Sequence, residues 1–195
     1  MTEQVKLIVG LGNPGQQYEQ TRHNAGADFL QQLAQQHHCS LHPEKRFHGL
    51  YGKARIGSQE IHFLIPTTFM NLSGQSVQAL ASYYKIPVEG ILVAHDELDL
   101  PPGTARFKQG GGHGGHNGLR DIIAKFGGNK MFFRLRLGIG HPGNAKQVAS
   151  FVLKKAPQNE RELTQNSIDH ALYSLPDLLN GNLQKAMNDL HSHKA

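Results

Sequence analysis

Short apolar, β-branched runs alternate with stretches of helical period, and this alternation restricts the chain to an α/β architecture. The strand-like runs are 5–10 ("VKLIVG"), 51–57, 60–66, 90–96 ("GILVAHD"), 104–109 and 133–140 ("FRLRLGIG"). Gly57-Ser58, between two of them, predicts a hairpin turn. In "AGADFLQQLAQQHH" Phe29, Leu30, Leu33 and Ala34 share one helical face, and in "LSGQSVQALASYYKI" Val77, Leu80, Ala81 and Tyr84 do so. "GLRDIIAKFGG" is a third helix, stopped by Gly127-Gly128. After Pro157 the pattern is helical, with Ile168, Ala171, Leu172 and Leu175 on one face, and a last helix after Gly181 carries Leu183, Met187 and Leu190. The expected fold is one α/β domain over residues 1–195, a twisted, mixed and largely parallel sheet surrounded by helices.

The N-terminal apolar run ends at Gly12, too short for a secretory leader, and no stretch reaches the length of a membrane span. With a lone cysteine, Cys39, these features predict a cytoplasmic protein without a membrane partner. The charge is unevenly spread. Residues 101–161 hold eleven Lys/Arg against two acids, a net +9, which leaves −4 for the rest of a chain of net +5. Such a segment is the electrostatic footprint of a polyanion-binding face.

Polar residues follow strand ends: Asn13, Asn71, Asp96 and His141. Ligands of open α/β sheets bind outside the carboxyl ends of strands, so these four predict one site at one edge. His23 lies in "TRHNAG", just before the first helix, where Asn24 is placed to cap. A carboxylate such as Asp96 could accept one imidazole N–H, leaving the other nitrogen to deprotonate water. Asn13, Asn71 and Asn117 offer amides for a carbonyl or an oxyanion. No G-x-S-x-G elbow occurs, and Ser73 reads as a helix entry.

Other readings compete. "GLGNPG" (10–15) fits the dinucleotide pattern, but nine residues separate it from the helix and no acid follows at the expected distance. His113 and His116, spaced H-x-x-H, could ligate zinc, yet glycines flank them and no H-E-x-x-H is present. They are expected to shape their loop rather than act as the base. A non-catalytic RNA-binding module also accounts for the basic face.

The motifs "VGLGNPG", "TRHNAG", "PTTFMNLSG", "VAHDELDLPPG", "GGGHGGHNGL" and "RLRLGIGHPG", in order from Val9 to Gly143, closely resemble the bacterial peptidyl-tRNA hydrolase family. The resemblance implies a monomer, without metal or other cofactor, that hydrolyses the ester joining a peptide to the 3′ ribose of tRNA and so recycles prematurely released peptidyl-tRNA. It implies His23 as the base and Asp96 as the residue that orients it. Asn13, Tyr18, Met70 and Asn71 would line the substrate pocket, and Asn117 would place the water or the terminal adenosine. Lys108 and Arg136, with Arg106 nearby, would clamp the tRNA 5′ phosphate. Arg106 stands where the family pattern carries lysine.

Overall fold

The computed structural model describes residues 4–192; the first three residues and the last three, part of the expected 1–195 domain, lie outside the described residues. Seven strands form one sheet: β1 (Leu7–Gly10), β2 (His42–Glu44), β3 (Gly49–Ile56), β4 (Gln59–Pro66), β5 (Ile91–Glu97), β6 (Ala105–Gln109) and β7 (Phe133–Gly138). Their order is β2-β3-β4-β1-β5-β7-β6. The central four, β4-β1-β5-β7, run parallel, and the edge pairs β2–β3, β3–β4 and β6–β7 are antiparallel. Six helices surround it: α1 (Ala25–Gln36), α2 (Ser73–Tyr83), α3 (Asn117–Lys125), α4 (Val148–Val152), α5 (Gln158–Leu179) and α6 (Leu183–His191).

Strand periodicity divides the core into two layers. Ile8, Leu92 and Ala94 face the layer of α1, α5 and α6, while Leu7, Val9, Ile91 and Val93 face that of α2 and α3. Each fully buried Leu, Ile or Phe contributes roughly 1.5–3 kcal/mol. The predicted elements agree with this fold, hairpin included, since β3 and β4 pair through Ile56↔Gln59. Strand β2 and helix α4 were not foreseen. "HPE" carries no strand signal, and its pairing with β3 is imposed by the neighbouring strand.

Two glycines bring α1 onto the strand ends. A Cβ on Gly26 would lie 2.1 Å from the Ala94 carbonyl oxygen, and one on Gly10 2.4 Å from the Gly26 oxygen. Only bare backbone permits this crossing, which sets the start of α1 against the end of β5.

Candidate active site

Side chains alternate along β5, so Asp96 continues the side of Leu92 and Ala94 and faces the layer containing α1. The turn Arg22–Asn24 leads into α1 there, and His23 Nδ1 lies 2.8 Å from Asp96 Oδ2. Both side chains are buried, and Asp96 is only 4% exposed. The turn itself is held from outside: the Arg22 guanidinium stacks 3.8 Å above the Phe151 ring, donates to the Phe151 carbonyl and pairs with Glu160 at 3.6 Å.

The second carboxylate oxygen is also taken. His116 Nε2 sits 2.8 Å from Asp96 Oδ1, while His116 Nδ1 caps α3 by accepting from the amides of Gly118 (3.1 Å) and Leu119 (3.3 Å). Those two donors fix the tautomer, because Nδ1 keeps its lone pair and the proton resides on Nε2, which donates to Asp96. Asp96 therefore accepts from two histidines, and His23 donates through Nδ1. His23 Nε2 has no protein partner among the described residues and is left as an acceptor.

Electrostatics follow this geometry. Burial pulls the His23 pKa down, but the charge and hydrogen bond of Asp96 outweigh it and raise it above the ordinary 6.5. Burial would raise the Asp96 pKa, yet the two histidines hold its carboxyl well below the usual carboxylate range. His95, 2% exposed, donates from Nδ1 to the Asp96 carbonyl at 2.8 Å. Burial, assisted by His116 and Arg134, pushes its pKa down to about 3, so it stays neutral.

His23, Asp96 and His116 place their ligand atoms within 4.8 Å of one another, close enough to consider a metal. The donor chemistry does not fit. A cation on His116 Nε2 would require the proton on Nδ1, where it would face the Gly118 and Leu119 amide hydrogens.

A cavity of about 280 Å³ opens beside the cluster, lined by His23, Asp96, His116 and Asn117, with Val148 and Val152 of α4 among its walls. A larger cleft of about 550 Å³ lies between α1 and α5. Its Asp28, pushed up to about 6 by burial, has no partner among the described residues, and no histidine lines that cleft.

The other predicted residues fall into two groups. Asn13 Oδ1 accepts from the Met70 amide at 2.7 Å, which turns the Asn13 Nδ2 hydrogens outward. Asn71 follows, exposed, in the turn Met70–Leu72, and the Tyr18 ring stands edge-on 6.5 Å from Phe69. Asn24 sits at the capping position of α1 but caps nothing. Its side chain instead accepts from the Asn13 amide (2.8 Å) and donates to the Asn13 carbonyl (3.0 Å), joining the Asn13 turn to His23. This long-range pair overrides the expected local cap. Asn117 opens α3, with Oδ1 accepting from Arg120 at 3.2 Å.

Arg106 pairs with Arg136 and Lys108 with Arg134 across β6 and β7, so four cations share one face of that edge. Arg136 Nε donates to Glu97 Oε1 at 2.9 Å and is partly neutralised, whereas Lys108 is exposed beside Gly111. His141 does not join the site; it is exposed and accepts from the Gly143 amide in its own turn. Ser73 is fully buried and donates to the Met70 carbonyl, which removes it as a nucleophile. From the sequence His116 is only a possible zinc ligand or loop-shaping residue, and Arg134 only one charge of the basic segment; neither reading places them on Asp96 or on the glycine loop. His116 lies in a glycine segment with no periodicity, and the strand pattern around Arg134 does not say what packs over it.

The family model for peptidyl-tRNA hydrolase matches residues 7–195. The chain is 60% identical over 191 residues to the peptidyl-tRNA hydrolase of Azotobacter vinelandii, covering 98% of both. It is 58% identical to that of a Marinomonas species, covering 97% of this chain and 98% of the relative. The crystal structure of peptidyl-tRNA hydrolase from Acinetobacter baumannii matches with a TM-score of 0.95 at 50% identity, over 97% of this chain and 96% of that one. Matched along almost its whole length in sequence and in fold, this chain belongs to the peptidyl-tRNA hydrolase family.

Proposed function

We propose that the chain hydrolyses the ester between a peptide and the 3′ ribose of tRNA, with His23 as general base. The observation that carries this reading is the 2.8 Å contact between His23 Nδ1 and Asp96, which leaves Nε2 free at a cavity. Nε2 takes a proton from water as its oxygen attacks the ester carbonyl carbon. The tetrahedral intermediate then collapses, breaking the bond to the ribose oxygen, and that oxygen receives the proton from Nε2–H. Peptide acid and free tRNA leave, and His23 returns to neutral. Asp96 stabilises the imidazolium formed in between, which is what a buried carboxylate on the far nitrogen does for a histidine base.

The outward amide hydrogens of Asn13 suit a substrate carbonyl or the oxyanion, a donor of the kind worth about 10²–10³-fold. Tyr18, Met70 and Asn71 adjoin it and serve the peptide. Asn117, at the cavity wall, serves the water or the terminal adenosine. The cations Arg106, Lys108 and Arg136 serve the tRNA phosphate. On this reading the chain acts in the cytosol as a monomer and as one domain over residues 1–195, releasing tRNA from peptidyl-tRNA. Among the described residues no helix is long and apolar enough to cross a membrane.

Release of an N-acetylaminoacyl group from tRNA, with free aminoacyl-tRNA alongside, tests the reading. The N-blocked ester is expected to be cleaved and the free one spared; tight, salt-sensitive binding without cleavage would make the chain an RNA-binding module instead. In the same assay Lys108→Ala raises KM for tRNA esters and lowers the salt slope by about one, as expected for one lost phosphate contact. A small ester mimic impaired to the same degree would remove Lys108 from the clamp.

A further inference from the structure

The glycine-rich segment between β6 and α3 reaches the site through its far end, His116 and Asn117. Its near end is held by Arg134, which takes no part in the hydrolytic steps. Arg134 is 3% exposed and has no carboxylate partner among the described residues. Its guanidinium donates to the carbonyl oxygens of Gly111, Gly112 and, at 3.3 Å, Lys130, and lies 4.4 Å from the Phe132 ring centroid. Burial and the neighbouring Arg136 lower its pKa to about 10, with Glu97 opposing, so it remains a cation at neutral pH. A buried cation without an acid is costly, and carbonyl oxygens are what offset it here.

The loop these carbonyls belong to has little else to fix it. Past the Gly110 amide, which donates to the Phe132 carbonyl at 3.0 Å, the chain runs without regular structure until the His116 amide meets the His113 carbonyl at 2.9 Å. A Cβ on Gly112, Gly114 or Gly115 would meet nothing within 4 Å, so packing does not confine these residues. One side chain ties one end of the loop, and the His116–Asp96 bond ties the other.

We infer that Arg134 is a positioning residue: by gripping the Gly111 and Gly112 carbonyls it sets the path of residues 110–116 and thereby delivers His116 to Asp96 and Asn117 to the cavity. Lysine keeps the charge but cannot reach several carbonyls with a rigid fork. The inference rests on the hydrolase reading.

The test is cleavage of N-acetylaminoacyl-tRNA across pH by Arg134→Gln and Arg134→Lys, each with and without His116→Ala. The titratable groups lining the cavity with His23 are His95, Asp96 and Glu97 of β5 and His113 and His116 of the loop. Of these, Asp96 and His116 are the ones bonded in line with His23. Arg134→Gln is expected to lower kcat about 10²-fold, the scale of an ångström's misplacement, with a smaller rise in KM. Arg134→Lys recovers part of it. In both, the acid limb of the profile moves to higher pH, because Asp96 released from His116 gives more of its charge to His23. On the His116→Ala background Arg134→Gln costs less than it does in the wild type, since one of the two placements it supports is already gone and only that of Asn117 remains.

Independent, multiplying effects of the two substitutions would overturn the inference, as would a lowered Tm with kcat and acid limb unchanged. Should Arg134→Gln fail to fold, Arg134→Lys decides: wild-type kcat with an unmoved limb overturns it. An inactive wild type would remove the hydrolase reading and this inference with it, whereas an active wild type with multiplying variants removes this inference alone.

Discussion

His23→Ala is expected to lower turnover of N-blocked aminoacyl-tRNA by about 10²–10⁴-fold, the contribution of a positioned general base, while tRNA affinity stays within a few-fold. The separation is expected because His23 contacts the reacting end of the cavity, and the cations lie on the β6–β7 face. The variant should fold. Asp96 keeps its 2.8 Å bond to His116 when His23 is removed, so the buried carboxylate loses one donor rather than both. That loss costs about 1–3 kcal/mol. Single-turnover cleavage and filter binding on the same preparations check it, and a loss of binding as large as the loss of rate would sink the base assignment.

Asp96→Asn is expected to be nearly as severe, for a reason particular to this site. Asp96 accepts from two histidines, and an asparagine offers one oxygen and one NH₂ in the same plane. His116 cannot turn acceptor at Nε2, since its Nδ1 lone pair is committed to the Gly118 and Leu119 amides. The asparagine oxygen must therefore face His116 and its NH₂ must face His23 Nδ1. That forces the His23 proton onto Nε2 and leaves no lone pair toward the cavity. The expected fall in kcat is about 10²–10⁴-fold with the fold intact, as for a triad histidine locked in the wrong tautomer. Pairing Asp96→Asn with His116→Ala frees the amide to turn, and part of the rate should return. A double variant as slow as the single one would mean that Asp96 acts through its charge and not through the tautomer.

How much of this was legible in the sequence depended on whether a feature was local. The period-2 run "FRLRLG" puts Arg134 and Arg136 on one face of β7, but nothing in it says that one is buried beneath a loop and the other partly exposed beside Glu97. His23 and Asp96 were readable because each adjoins an element with a clear period, a helix start and a strand end. His116 was not, because its role depends on a glycine loop folding over the end of β5, and glycine carries no periodicity. Asn24 was misread as a cap for a related reason: the short-range rule was sound, but Asn13, eleven residues earlier, offered both a donor and an acceptor. Helix α4 (Val148–Val152), which walls the cavity, lies past the last motif, which ends at Gly143, and its packing against the Arg22 turn is visible only in three dimensions.

The pH dependence of single-turnover cleavage, in excess EDTA, tests most directly that a neutral His23 held by Asp96 activates water. Protonation of Nε2 removes the base, and the Asp96 charge raises the His23 pKa over the opposing pull of burial. The rate should therefore fall as pH falls through a single-proton midpoint above 6.5, unchanged by the chelator, and the limb should be missing from the residual activity of His23→Ala. A midpoint below 6.5, a rate independent of pH, or cleavage abolished by EDTA would contradict the account.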